Sequence, residues 1–246
     1  GMNLPSNFPI WMIIVGALVA IGIGKMTFGG LGCNPFNPAI VGRCFLLVSF
    51  PAAMTSWPVS GQQMAYTDAV TGATPLSLMK TAIKTGDVSV LQGLPDTVDM
   101  LLGNVANGYG AGTIGEVCAL ALIAGLIWML WRRVITWHIP VTILATVFVL
   151  SGALHAANPV YAHPMAVVLS GGLMLGAIFM ATDYVTSPMT HRGQVIYAVG
   201  IGVLTVVIRN WGSYPEGMSF AILIMNAFTP LINFYVKPKR FGEVSR

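Results

Sequence analysis

Phe28-Gly29-Gly30-Leu31-Gly32-Cys33-Asn34-Pro35-Phe36-Asn37-Pro38-Ala39 decides how the whole chain is read. Three glycines, two prolines and two asparagines in twelve residues exclude an ordinary helix. An apolar run follows directly through Phe50, interrupted by Arg43. Irregular backbone set between apolar segments predicts a re-entrant or discontinuous helix. Such a break survives at membrane depth only where protein or a polar cavity satisfies its backbone groups. Pro35 and Pro38 suit the first turn of a half-helix, whose free amides attract electron-rich or anionic groups. Asn34 and Asn37, three apart, either present both amides to one ligand or cap the helix.

Composition agrees with a membrane setting. Charged residues are 8% of the 246 and hydrophobic ones 55%, with a mean hydropathy of +0.77. A soluble domain carries about 25% charged residues. Long uninterrupted apolar runs are not a barrel pattern, so an all-α integral membrane protein is expected. The net charge of +4 does not point to nucleic acid, because the basic residues gather at segment ends, as membrane topology demands. Cys33, Cys44 and Cys118 form no CxxC, so neither a disulfide framework nor a metal site is expected. The chain begins with no basic n-region, so no signal peptide is read.

The apolar pattern predicts about seven spans, at 9–24, 39–50, 116–131, 138–156, 164–181, 193–208 and 216–236, in one membrane domain over 1–246. Arg132-Arg133, His191-Arg192 and Lys237-Pro238-Lys239-Arg240 follow alternate crossings, which puts all three on the cytoplasmic side. The polar interval 51–114 is then an external loop region, and its two lysines against four aspartates fit that side. Apart from that interval, Arg209 is the one basic residue left outside. The N-terminus also falls outside, which leads to the expectation of a chain truncated by an odd number of helices. A faint repeat pairs 30–43 with 212–225, each an interruption followed by an apolar helix. Paired interruptions point to two internal repeats with a midplane site. Gly110 to Gly115 matches G-x-G-x-x-G, but no strand precedes it, so close helix packing is the reading.

Ionisable residues within spans are costly and face a cavity or a partner. Arg43, Glu116, Asp183 and Glu216 are the candidates. Glu116 and Glu216 begin helices, where the dipole favours them. Asp183 either caps the following loop and pairs with Arg192, or lines a cation path or positions a cofactor. His155 and His163 read as interfacial, and the scattered methionines as gap fillers. The polar interval holds one further singular stretch, Asp68-Ala69-Val70-Thr71-Gly72-Ala73-Thr74-Pro75-Leu76. Small neighbours leave the Thr74 hydroxyl approachable, and Pro75 restricts Thr74 to extended backbone. Local chemistry leaves Thr74 as a surface turn residue or a cap for the apolar run from Leu76.

These residues resemble a known family. D-A-V-T-G-A-T at 68–74 resembles the flavinylation motif at which a flavin transferase joins FMN, through a phosphodiester, to the final threonine. With it come G-L-G-C-N-P-F-N-P-A at 30–39, M-T-S-W at 54–57, G-E at 115–116, W-H-I-P at 137–140, A-T-D-Y-V-T at 181–186, H-R-G at 191–193 and Y-P-E-G at 214–217. Eight motifs in one order resemble the family that contains the D subunits of Rnf electron-transport complexes and the related B subunits of the sodium-translocating NADH:quinone oxidoreductases. The resemblance implies a urea-transporter-like bundle of ten helices in two inverted repeats, three of them absent here. It implies covalent FMN on Thr74, with Asp68, Thr71, Gly72 and Ala73 as the motif the transferase reads on the external, periplasmic side of a prokaryotic inner membrane. It implies a second, non-covalent flavin, riboflavin, at Asn34 and Asn37, and an ion-path role for Asp183. The partners implied are the other membrane and peripheral subunits of the complex, and the activity implied is electron transfer coupled to Na+ or H+ movement. Several relatives carry Asp at the position of Asn233, so a carboxylate role there does not transfer, and Arg43 receives no role. The alternative from another class is a solute channel, favoured by the broken helix.

Overall fold

The computed structural model describes residues 2–58, 72–103, 112–113, 115–214 and 216–237. It is helical throughout, with no strand element among the described residues. Among the described residues four segments are long and apolar enough to cross a membrane: Ile10–Phe28, His138–Ala157, His191–Trp211 and Met218–Tyr235. Pro38–Ser49 and Ala119–Trp131 are apolar but shorter. Their outward faces carry Trp11, Ile14, Leu18, Trp128, Phe148 and Phe234 exposed, as lipid contact requires.

The motif at 28–39 behaves as its residues dictate. Helix α1 (Ile10–Leu18) runs through a π turn and a 3-10 turn, and ends at Gly29. After an irregular stretch, α2 (Pro38–Ser49) starts with Asn37 as its cap and Pro38 in its first turn. A short α3 (Pro51–Met54) follows. The interval 51–114 is more than a loop. Within it, α4 (Pro75–Thr85) and α5 (Thr97–Leu102) bury Leu76, Met79, Ala82 and Met100. Leu76, Met79 and Met100 form a small core with Ala119, Ala162, Ala166 and Leu169, which fixes this outer layer to α6 (Ala119–Trp131) and α8 (Pro164–Leu169).

The main core gathers Ile40 of α2, Ile143 of α7 (His138–Ala157), Leu173 of α9 (Leu173–Leu175), Ile178, Tyr197 and Ile201 of α10 (His191–Trp211), and Ile222 of α11 (Met218–Tyr235). The stretch 164–181, expected to be one span, is broken. Helix α8 stops at Leu169, the chain passes Ser170, Gly171 and Gly172, and helix resumes at Leu173. Gly171 has φ +63°, a left-handed conformation that glycine adopts without strain. The apolar pattern sets the partner interruption at 212–217, where the structure has the connection between α10 and α11.

The two ends of the bundle differ in charge. At one end His138 stacks on His191 at 4.3 Å between centroids, and Thr190 donates to the Val236 carbonyl at 3.2 Å. These contacts bring together the start of α7, the start of α10 and the end of α11, and with them Arg132-Arg133, His191-Arg192 and Lys237. The charge pattern of the sequence therefore does converge on one end. Helix α4 meets the opposite end, where Lys80 Nζ donates to the Gly212 and Tyr214 carbonyls past the end of α10.

Candidate functional site

Thr74 caps α4. Its backbone is extended, φ −75° and ψ 153°, and its Oγ1 accepts from Ser77 N at 3.2 Å. The preceding Gly72 N donates to the Trp57 carbonyl at 3.0 Å, which ties the motif to the segment after α3. Thr74 is half-buried and Ala73 exposed. Asp68 and Thr71, the other predicted motif residues, lie outside the described residues.

Thr74 opens onto a cleft between the outer layer and the helix bundle. Trp57 and Tyr214 provide aromatic walls, Leu47, Leu76 and Met100 apolar ones, and Arg43, Glu116 and Glu216 the charges. Lys80 positions Thr74 here, because it pins α4 to the two carbonyls just before Glu216. Burial pulls the Lys80 ammonium below its ordinary pKa, with Lys84 adding to the shift.

The three charges form one buried group. Arg43, in the first half of α2, donates to Asn3 Oδ1 and to Glu216 Oε2, and its Nη1 lies 3.7 Å from Glu116 Oε1. The side chains are 5% (Arg43), 7% (Glu116) and 15% (Glu216) exposed. Glu116 and Glu216 stand just before α6 and α11, whose N-terminal dipoles favour a negative charge. The dipole is therefore not the only influence on the two carboxylates, and Arg43, to which the resemblance gave no role, pairs with both. A buried arginine is retained only where partners satisfy it, and those partners come from 73 and 173 residues away in the chain. The one available signal in the sequence is a lone arginine in an apolar run.

Asn34 and Asn37 are engaged within the protein. Asn37 Oδ1 accepts from Ala39 N at 3.0 Å and Ile40 N at 3.4 Å, and Nδ2 donates to the Met180 carbonyl at 3.2 Å. Asn34 Nδ2 donates to the Phe36 carbonyl at 2.9 Å. Of the two readings left open, the cap describes Asn37. Asn37 also lines a wide groove, about 1380 Å³, together with Lys25, Asp183 and Met180. Asp183 accepts from Thr186 Oγ1 at 3.2 Å, forms no ion pair with Arg192 among the described residues, and sits near the basic end of the bundle. Among the described residues Arg43 alone lines both the groove and the cleft of Thr74. Among the described residues no cluster of His, Cys, Asp or Glu is arranged to hold a metal.

Known proteins share this chain's sequence along its length. The profile of the NQR2, RnfD, RnfE family matches residues 1–242. The chain is 46% identical over 240 residues to the D subunit of the Na(+)-translocating ferredoxin:NAD(+) oxidoreductase complex of Acetobacterium woodii, covering 98% of this chain and 69% of that one. It is 42% identical over 248 residues to the D subunit of the proton-translocating ferredoxin:NAD(+) oxidoreductase complex of Clostridium ljungdahlii, covering 98% and 71%. Against the D subunit of the ion-translocating oxidoreductase complex of Halorhodospira halophila the identity is 40% over 261 residues, covering 98% and 72%. With four membrane-length helices and this likeness along its whole described body, the chain is a multi-pass membrane protein that belongs to the NQR2, RnfD, RnfE family, among its D subunits.

Proposed function

We propose that this chain is the D subunit of an ion-translocating ferredoxin:NAD oxidoreductase complex, and that it carries FMN on Thr74. It works only with its partner subunits and is not catalytic alone. The observation that carries the flavin reading is the position of Thr74, a helix cap on the lining of an aromatic-walled cleft.

The residues present fit such a group. A phosphodiester on Thr74 Oγ1 would lie at the N-terminus of the eleven-residue α4, where free amides and the helix dipole favour phosphate. Trp57 and Tyr214 offer faces for a planar ring, and the buried Arg43 Nε has no hydrogen-bond partner among the described residues. When bound, the flavin supplies the redox chemistry, and the protein supplies position and electrostatics. Attachment keeps it from diffusing away on the external side, which we assign to the end of the bundle opposite the basic clusters, in a prokaryotic inner membrane. A flavin transferase would install it. A riboflavin beside Asn34 and Asn37 would be the next carrier, and Asp183 would line the ion path. Both assignments rest on the motif resemblance and, for Asn37 and Asp183, on the groove those two residues border.

The test is a denaturing gel viewed under ultraviolet light, with chain produced alongside its transferase. A fluorescent band lost in Thr74→Ala supports the reading. Wild type without fluorescence would overturn it and leave a solute channel as the stronger alternative. For the second flavin, acid extraction from Asn34→Leu and Asn37→Leu should release less riboflavin than wild type. Unchanged content would leave the two asparagines as structural.

A further inference from the structure

The turn between α6 and α7 keeps a charge where the backbone asks for none. Helix α6 closes with Val134 N donating to the Met129 carbonyl at 2.9 Å and Arg133 N to the Leu130 carbonyl at 3.0 Å. This pair of bonds marks a left-handed helix end whose turning residue is most often glycine. Here it is Arg133, at φ +52°, the one non-glycine residue with positive φ among the described residues. A side chain is strained there and glycine is not. The helix dipole favours a cation at this end, but Arg132, at φ −74°, already supplies one without strain. Both arginines are exposed, and neither forms an ion pair among the described residues.

An apolar groove starts one helical turn past Trp137. Val141, Leu144, Ala145, Phe148 and Val149 of α7 line it, with Val168 of α8. The first five recur at helical spacing and form one stripe, of which Val141, Ala145, Phe148 and Val149 are exposed. At ~1.5 Å per residue, Val149 stands about 16 Å along the helix from His138, roughly one leaflet of a ~30 Å hydrocarbon core. The groove therefore runs from the basic end toward mid-membrane, the depth an acyl chain occupies. Trp131 and Trp137, both exposed, flank the arginines, as aromatic side chains do where headgroups meet acyl chains. Trp137 stacks on His138 and His138 on His191, each at 4.3 Å, which holds the starts of α7 and α10 together and brings Arg192 to the same end. No acidic residue occurs in 131–138, 188–192 or 235–237, and Asp183 borders the separate groove of Lys25 and Asn37. An anion meets cations and aromatic faces here.

We propose that Arg132 and Arg133 hold the phosphate of an anionic phospholipid from the leaflet at this end, with one acyl chain in the groove along α7. Guanidinium groups take phosphate oxygens through paired N–H donors, and basic residues beside transmembrane helices recruit anionic headgroups. The charge at Arg133 selects the lipid class, and the α7 stripe selects a lipid over a free phosphate. The site lies at the end of the bundle opposite Thr74 and needs no flavin. The full chain produced without a transferase therefore tests it, and a failure here leaves the Thr74 reading standing.

The experiment is thermal unfolding of the full chain in dodecyl maltoside, titrated with dioleoyl phosphatidylglycerol, dioleoyl phosphatidylcholine or glycerol 3-phosphate at constant ionic strength. A ligand that binds only the folded state raises Tm with its saturation. Phosphatidylglycerol should raise Tm at a half-saturating concentration about tenfold or more below that of phosphatidylcholine, and glycerol 3-phosphate should have no effect. Arg133→Gly relieves the strain at φ +52°, so its lipid-free Tm should equal or exceed that of wild type. Its half-saturating phosphatidylglycerol should rise about fivefold, the loss expected for one basic residue at an anionic surface. A purely structural Arg133 would move both readings the same way. Ala145→Phe fills the groove, leaves both charges and should weaken the response to a similar degree. Lys84→Gln removes an exposed charge from α4, at the opposite end, and should leave the response unchanged. The proposal is overturned if phosphatidylcholine matches phosphatidylglycerol, or if glycerol 3-phosphate reproduces the gain. It is also overturned if the response survives Arg133→Gly or Ala145→Phe, if Arg133→Gly lowers the lipid-free Tm, or if Lys84→Gln weakens the response as much.

Discussion

Replacing Arg43 with methionine keeps a long apolar stem in α2 and removes the charge. Two carboxylates, 7% and 15% exposed, then face each other with no arginine between them. Breaking a buried ion pair from one side costs about 3–5 kcal/mol, far above the ~0–1 kcal/mol of an exposed pair. For a chain of this size each kcal/mol moves Tm by roughly 2–4 °C, so Arg43→Met should unfold on the order of 10 °C below wild type. The six tryptophans make intrinsic fluorescence a suitable readout in detergent. The decisive comparison is the triple variant Arg43→Met, Glu116→Gln, Glu216→Gln. With the charges gone, the neutral amides can share hydrogen bonds, and most of the lost stability should return. A fall of under about 1 kcal/mol for the single variant would mean that the group is solvated like a surface pair. A full fall with no recovery in the triple variant would mean that packing of the arginine stem, not charge, is what matters. Either result refutes the reasoning.

The other expectations follow from single contacts. Lys80→Met leaves the Gly212 and Tyr214 carbonyls without their donor. It should cost about 2 kcal/mol or more and speed proteolysis within residues 72–103, and unchanged cleavage would count against Lys80 as the anchor of α4. Asn37→Ala removes the cap of α2 and the tie to Met180. About 1 kcal/mol should be lost, seen as a lower Tm, while Asn34→Ala should cost less because its bond is local. Asp87 accepts from Ser89 N at 2.9 Å at the start of a 3-10 turn, and these hydrogen bonds hold its carboxyl below the ordinary 3.8. A depressed carboxylate stabilises above its unfolded value and loses that contribution as pH falls through the folded one. The Ser89 amide resonance should therefore shift cooperatively on acidification below 3.8, and should not do so in Asp87→Ala.

Local features were legible in the sequence because they depend on neighbours. Pro38 after Asn37 is enough to start a helix, and Pro75 after Thr74 does the same for α4. Basic pairs after alternate apolar runs were enough to predict that 132–133, 191–192 and 237 share one end, and the contacts at His138, His191 and Val236 bring them together. The break at 170–172 was hidden because its flanks are as apolar as any span, and the two glycines did not outweigh the hydropathy.

The sequence by itself determined the solvent of this protein, its helical class, the helix start at Pro38, and the motif at 68–74 that resembles a flavin attachment site. These follow from composition and from residues within a few positions of one another. Only the tertiary structure decided that Arg43, Glu116 and Glu216 form one buried group and that Lys80 holds α4 over it. Those relations join residues up to 173 positions apart. A side chain's charge and hydropathy state what it needs in a membrane, while the packing of α2 against α11 and α6 decides which distant group meets the need.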